Sequence, residues 1–239
     1  MGQSYFIWKN KDCRSMGVWL QGPVAIVRPE ERVDHVQIMG RSGDLTETEG
    51  AEVYNSYIQT ATILVKGGFR VREVYSWLRG SGYVTFSGEP DKRQKARIIG
   101  AVTLNKHAYN IDWWVGEVQF YCQPLKEMLQ ETATEITSSN SKVVNSGDVT
   151  SFPKILATAS GTSMTVAAGG KTLTITGLAD YINIDCERMD SYRLPAENKN
   201  SMVSGQFIEL VPGNNTVKFT RGSSSSLASA RIIPNWWRI

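Results

Sequence analysis

Asp185 and Glu187 stand two residues apart, with Asp190 close behind. On an extended strand that spacing turns both carboxylates to one face, an arrangement from which a glycosidase can draw its acid and its base. A solvated strand face carries the same pattern, so the pair alone does not define a reaction. His35 and His107 are isolated, without a partner at ligand spacing, so a zinc centre and a Ser-His-Asp triad both lack their parts. Gly40-Arg41-Ser42-Gly43 lacks the spacer that a nucleophile elbow has after its serine. Gly170-Lys171-Thr172 ends like a phosphate-binding loop, but the position five residues before Gly170 is Thr165 rather than glycine. No helix is expected after it, so it reads as a β-turn. The chain is therefore expected to be no enzyme, with no catalytic, cofactor-binding or metal-binding residues and no cofactor.

Cys13, Cys122 and Cys186 are too widely spaced for a metal knuckle or a redox dithiol and read as small buried hydrophobes. Trp113, Trp114, Phe120 and Tyr121, and again Trp236 and Trp237, interleave with polar residues as a sugar- or base-stacking platform would. Strand alternation sends half of such residues into a core, and surplus aromatics serve protein contacts equally well.

The elements that would position these groups are mostly strands. Apolar residues alternate with a period of two, and turn residues interrupt them about every ten residues, the pattern of an all-β chain. Expected strands are 4–8, 17–24, 34–39, 57–65, 83–87, 96–104 and 114–122, then 154–159, 163–167, 172–176, 181–185, 205–210, 215–220 and 230–233. One helix is expected over 69–78, where Val71, Val74, Tyr75 and Leu78 share a face between Gly68 and Gly80. Residues after Pro124 fade into Thr, Ser and Asn and read as a short helical or extended linker. The expected organisation is an N-terminal β domain over 1–125, a linker over 126–142 and a C-terminal β domain over 143–239. The fold class is all-β with one packed helix, in two β-sandwich-like domains.

With 239 residues, 41% of them hydrophobic, the chain can bury two ordinary cores, and 26 Lys+Arg against 23 Asp+Glu leave a net charge of only +3. That balance does not describe a surface built to hold nucleic acid. No signal segment or bilayer-spanning stretch is read, so no membrane insertion is expected. Residues 30–55 mix charges with Gly40, Gly43 and Gly50 and hold too few large apolar side chains for a core of their own. Asp44, Glu47, Glu49 and Glu52 crowd this segment, and no Lys or Arg occurs from Asp44 to Ile63. It is expected to project from the body.

Several segments, taken in order, resemble the distal tail (Dit) proteins of long-tailed phages and prophages of Gram-positive bacteria. In the first half these are Ser15-Met16-Gly17, Pro23-Val24, Arg28-Pro29-Glu30-Glu31-Arg32 and Ile38-Met39-Gly40-Arg41-Ser42-Gly43-Asp44-Leu45. Trp77-Leu78 with Gly80, Phe86-Ser87 before Pro90-Asp91, and Val118-Gln119-Phe120 with Cys122 and Pro124 follow. In the second half, Val144-Asn145-Ser146-Gly147, Ser151-Phe152-Pro153, Ile184-Asp185, Gly205-Gln206-Phe207 with Leu210, Pro212-Gly213-Asn214-Asn215 and Pro234-Asn235-Trp236-Trp237-Arg238 look like that family's galectin-like sandwich.

The resemblance implies a structural protein of the virion tail tip, made in the host bacterial cytoplasm. It would form a homohexameric ring joining the tail tube protein to a trimeric tail-associated hub, with receptor-binding or baseplate proteins as further partners. DNA would pass through the ring's channel during ejection without specific binding. A hairpin arm would embrace the neighbouring subunit, and Arg41, Asp44 and Leu45 are its candidate residues. Asp44, Glu47, Glu49 and Glu52 are candidate channel-facing acids, against the plainer reading of a solvated acidic loop. The alternative function is a carbohydrate-binding, lectin-like module resting on the second domain and its Trp-rich end.

Overall fold

The computed structural model describes residues 4–48, 50–107, 110–136, 140–160, 163–178, 180–195, 197–222 and 226–239, and it divides into units Met1–Leu129, with Ile239, and Gln130–Arg238. In the first unit the strands are β1 (Phe6–Trp8), β2 (Lys11–Asp12), β3 (Val18–Leu20), β4 (Val33–Gln37), β5 (Asp44–Thr48), β6 (Tyr57–Lys66), β7 (Ser81–Phe86), β8 (Lys92–His107) and β9 (Asn110–Met128). Seven of them follow one another in the order β2-β1-β7-β8-β9-β6-β3, and all six pairings between neighbours are antiparallel. β4 and β5 pair only with each other.

The period-two reading holds on β6, where Gln59, Ala61, Ile63 and Val65 are buried and Ile58, Thr60 and Lys66 are exposed. β1 and β9 are three strands apart in the sheet, which would separate them by about 14 Å if it were flat. Yet the rings of Phe6 and Trp8 lie 5.5 and 5.6 Å from that of Phe120. The sheet therefore curls over its own core, which makes this unit sandwich-like.

Helix α1 (Val71–Trp77) follows a short 3-10 turn at Gly68–Arg70. Val74, Trp77 and Leu78, at helical spacing, are buried, while Arg72 and Arg79 are exposed. Tyr75 lies at the margin of that face, and its hydroxyl accepts the Leu104 N–H at 3.2 Å. Leu78→Ala should cost about 2–4 kcal/mol, the lost transfer energy plus a cavity. An unchanged melting temperature would take the helix out of the core.

Pairing of β8 with β9 shifts register between Gln94 and Ala96 and again between Ile99 and Thr103. At the first shift Lys95 faces three residues, 123–125, and the middle one is Pro124. A proline in a bulge has no ladder hydrogen bond to lose, so β9 runs on to Met128. At the second shift Gly100 takes φ +68°, the left-handed conformation that such a bulge favours.

The second unit contains β10 (Thr134–Ile136), β11 (Ser141–Asn145), β12 (Lys154–Ser160), β13 (Ser163–Ala168), β14 (Lys171–Thr176), β15 (Tyr181–Asp185), β16 (Asp190–Tyr192), β17 (Val203–Gly205), β18 (Gly213–Arg221) and β19 (Ser226–Ile233). They make two five-stranded sheets, β10-β19-β12-β15-β16 and β11-β18-β13-β14-β17. Ile155, Ile182, Ile184 and Ile232 of the first sheet share one core with Val143, Val166, Leu173, Ile175 and Val217 of the second. This is a β-sandwich.

Two expectations need correction. The segment 126–142, read as a linker, supplies the end of β9, all of β10 and the start of β11, and the units divide after Leu129. The strand expected over 205–210 ends at Gly205, where φ is +98° and a Cβ would lie 2.3 Å from the Thr172 carbonyl oxygen. Beyond it the Gln206 N–H still reaches the Thr172 carbonyl at 2.9 Å, and Leu210 forms an isolated bridge to Ser151.

Candidate functional site

The enzymatic leads resolve into structural roles. Asp185 is the last residue of β15 and is buried, and its Oδ1 accepts the N–H groups of Glu187 and Arg188 at 3.2 and 3.1 Å. It shapes the turn into β16. Glu187 lies in that turn, off the strand, so the expected shared strand face does not form; its Oε2 accepts a hydrogen bond from Asn235 Nδ2 at 3.0 Å. Gly169 and Gly170, at φ +60° and +76°, form the two-residue hairpin turn between β13 and β14, and Lys171 ion-pairs with Glu209. His35 Nδ1 lies 3.5 Å from the Thr46 hydroxyl. Among the described residues no group of three or more His, Cys, Asp or Glu could hold a metal.

All three cysteines are buried, and burial pushes the thiols of Cys122 and Cys186 up to about 12. Phe120 and Trp237 are also buried, while Trp113 packs on Trp19 with ring centroids 5.4 Å apart. The aromatic series is thus divided between core and surface.

The most exposed element is the β4–β5 hairpin. Its base is closed by Arg32 N–H to Val53 O at 2.9 Å, Asn55 N–H to Glu30 O at 2.8 Å, and a bridge between Glu31 and Tyr54. Beyond that base it pairs with no other strand, and Met39 in its connecting loop is 100% exposed. The Arg41 N–H turns back to the Ile38 carbonyl at 3.2 Å, and Gly40 and Gly43 both take φ +81°. The geometry is that of an arm.

Register sorts the candidate residues by face. Val36 is paired with Leu45 and Asp34 with Glu47, and directly opposite residues share a side, so these four lie on one face. Asp44, paired with Gln37, lies on the other face with His35 and Thr46. Glu52 takes φ +62° beyond the strand, and Glu49 lies outside the described residues. The structure brings Leu45 and Glu47 together and separates both from Asp44.

A buried polar cluster missed in the sequence lies beside the approach to the arm. Lys126, almost fully buried, donates to Glu89 Oε2 at 2.6 Å and to the Val27 carbonyl at 3.3 Å, while Lys92 reaches Glu89 Oε1 at 2.5 Å. Gln94 joins the Tyr57 hydroxyl at 2.8 Å to the Gln123 carbonyl at 2.5 Å. Burial pushes the Glu89 carboxyl up, but hydrogen bonds from Lys126 and Lys92 outweigh it and hold the group below its ordinary value. Burial is also the main reason the Tyr57 hydroxyl is pushed up to about 12.

The chain is thus a two-unit all-β protein with a free hairpin arm and a helix packed on its first sheet. No protein-family model matches it, and a comparison with curated proteins finds no match. Among solved structures it is similar to the crystal structure of the SPP1 Dit (gp 19.1) protein, described as a paradigm of the hub adsorption apparatus in Gram-positive infecting phages. The likeness covers 97% of this chain and 98% of that one, with a TM-score of 0.77 at 18% sequence identity. The chain has the Dit fold.

Proposed function

We propose that this chain is the distal tail protein of a phage or prophage of Gram-positive bacteria, a non-enzymatic component of the tail tip. In this reading its copies close into a hexameric ring that joins the tail tube protein to a trimeric hub, with receptor-binding or baseplate proteins attached further out. The observation that carries the reading is the end-to-end likeness to SPP1 Dit, which extends over both units rather than one domain. The resemblance of the second unit to galectins belongs to the same proposal, and it brings no sugar-binding activity with it, because function is not inherited from fold.

A closed ring needs a surface on each copy that meets a different surface on the next. The β4–β5 arm, free of the main sheet and bearing Arg41, Asp44 and Leu45, is suited to that role. DNA in the channel would meet little to hold it, since Asp34 and Glu47 on one face of the arm, and Asp44 on the other, repel phosphate whichever face turns inward. Salt screens that repulsion wherever DNA and carboxylate stand more than about a Debye length apart.

Deletion of residues 44–52 should leave a folded monomer and weaken self-association at least tenfold, read by sedimentation velocity with circular dichroism as the folding control. Unchanged association would place the intersubunit contact elsewhere.

A further inference from the structure

We infer that the acidic-aliphatic face of the arm seats in a basic-aromatic groove on the first unit of a second copy of this chain. The inference rests on the ring reading above and adds the place where the arm lands.

The arm face carries two uncompensated costs. Asp34 and Glu47 are directly opposite each other, and like charges so placed destabilise a strand pair. Neither forms an ion pair among the described residues. Next to them Val36 and Leu45, also directly opposite, are 42% and 36% exposed. A partner that relieves both costs at once must offer cations beside apolar surface.

The first unit has such a place on the outward face of its sheet. A groove of about 510 Å³ is lined by Tyr83, Lys95, Arg97 and Tyr121 among others. Register explains the clustering: Tyr83 is opposite Lys95, Arg97 is opposite Tyr121, and Tyr121 is opposite Ile58. Tyr121 and Ile58 are 40% and 53% exposed, which supplies the apolar part. Arg93 lies over the Tyr83 ring at 4.4 Å and bonds Glu127 at 2.8 Å, and Lys95 is 3.7 Å from the same carboxylate. Arg93, Lys95 and Arg97 against Glu127 leave a net +2 on the groove, and Asp34 with Glu47 put −2 on the arm face. Arg97 has no ion-pair partner among the described residues.

Arginine and tyrosine beside a desolvated aliphatic pair are the residues on which interfaces concentrate their affinity, and matched charges fix the orientation. Arm and groove are different surfaces of one unit, so the contact is heterologous. Repeated from copy to copy it closes a ring or extends a filament. The partner is therefore another copy of the chain, and docking would neutralise both surfaces together.

The test uses the full chain in sedimentation velocity, as wild type, Arg97→Glu, Glu47→Lys and the double variant. Each single variant should weaken association at least tenfold and the double variant should recover most of it. Wild-type association that neither single variant changes, or two losses that the double variant does not repair, would overturn the docking while leaving the ring intact. A wild type that stays monomeric at every concentration, with and without a tail tube protein, would overturn the ring reading and this inference with it. If Arg97→Glu does not fold, disulfide trapping decides the matter: Leu45→Cys and Tyr121→Cys chains, mixed under oxidising conditions, should give a linked heterodimer. Its absence while the same mixture still associates would overturn the docking. The native cysteines are buried and do not compete.

Discussion

Replacing Trp77 with alanine is expected to cost about 3–5 kcal/mol of folding stability, the range for emptying a large aromatic site in a core. Trp77 stacks on Phe6 with centroids 5.5 Å apart and planes 9° from parallel. The two indoles also hold each other: Trp8 Nε1 donates to the Trp77 carbonyl and Trp77 Nε1 to the Trp8 carbonyl, both at 3.2 Å. Alanine keeps the first of these bonds because its acceptor is backbone. It loses the second, and with it the apolar area that ties α1 to β1. Trp77→Phe separates the two contributions: it retains most of the area and removes only the indole's hydrogen bond, so about 0.5–1.5 kcal/mol should go. Urea unfolding measures both. A loss below about 1 kcal/mol for Trp77→Ala would mean that the helix is not part of the cooperative core.

Lys126→Met should be the second large effect, at about 3 kcal/mol, the lower end of what stranding one partner of a buried ion pair costs. It lies at that end because Lys92 still reaches Glu89. Glu89 is held below its ordinary value of 4.5 in the folded chain. A depressed carboxylate contributes stability that is present above its unfolded pKa and is lost as pH falls through the lower folded pKa. Removing Lys126 takes away the largest of the hydrogen bonds that lower it. The part of the stability that Glu89 loses on acidification should therefore be smaller in Lys126→Met, and the stability gap between variant and parent should narrow as pH falls below about 4.5. Glu89→Gln added to Lys126→Met should recover part of the loss, because no charge is then left behind. A gap that stays the same at every pH would show that Lys126 acts by packing alone.

Which features were legible in the sequence follows from how local their causes are. Strand alternation in β6 and the helical spacing of Val74 and Leu78 are written in neighbouring residues and are readable, whereas Tyr75, expected on the same face, is exposed and Trp77 takes its place in the core. Pro124 misled because its local meaning is to stop a strand. Its meaning here depends on Lys95 of the facing strand, which opens the bulge that accommodates it. The Lys126–Glu89 pair is invisible for a similar reason: 37 residues separate its members, and the sequence around Lys126 reads as a linker. Asp185 and Glu187 looked like a pair on the assumption that the strand continued, whereas the turn that Asp185 itself stabilises ends it. The arm's exposure could be read from its poverty in large apolar residues. The separation of Asp44 from Leu45 and Glu47 follows from strand alternation, but the company each keeps depends on a register that composition does not contain.

The proposed assembly meets its most direct test in negative-stain electron microscopy of the purified full chain across a range of concentrations, with and without a tail tube protein. The account predicts closed rings with sixfold class averages and a stain-filled central channel, their fraction rising with concentration or on adding the tube protein. Monodisperse single copies under every one of these conditions would contradict it.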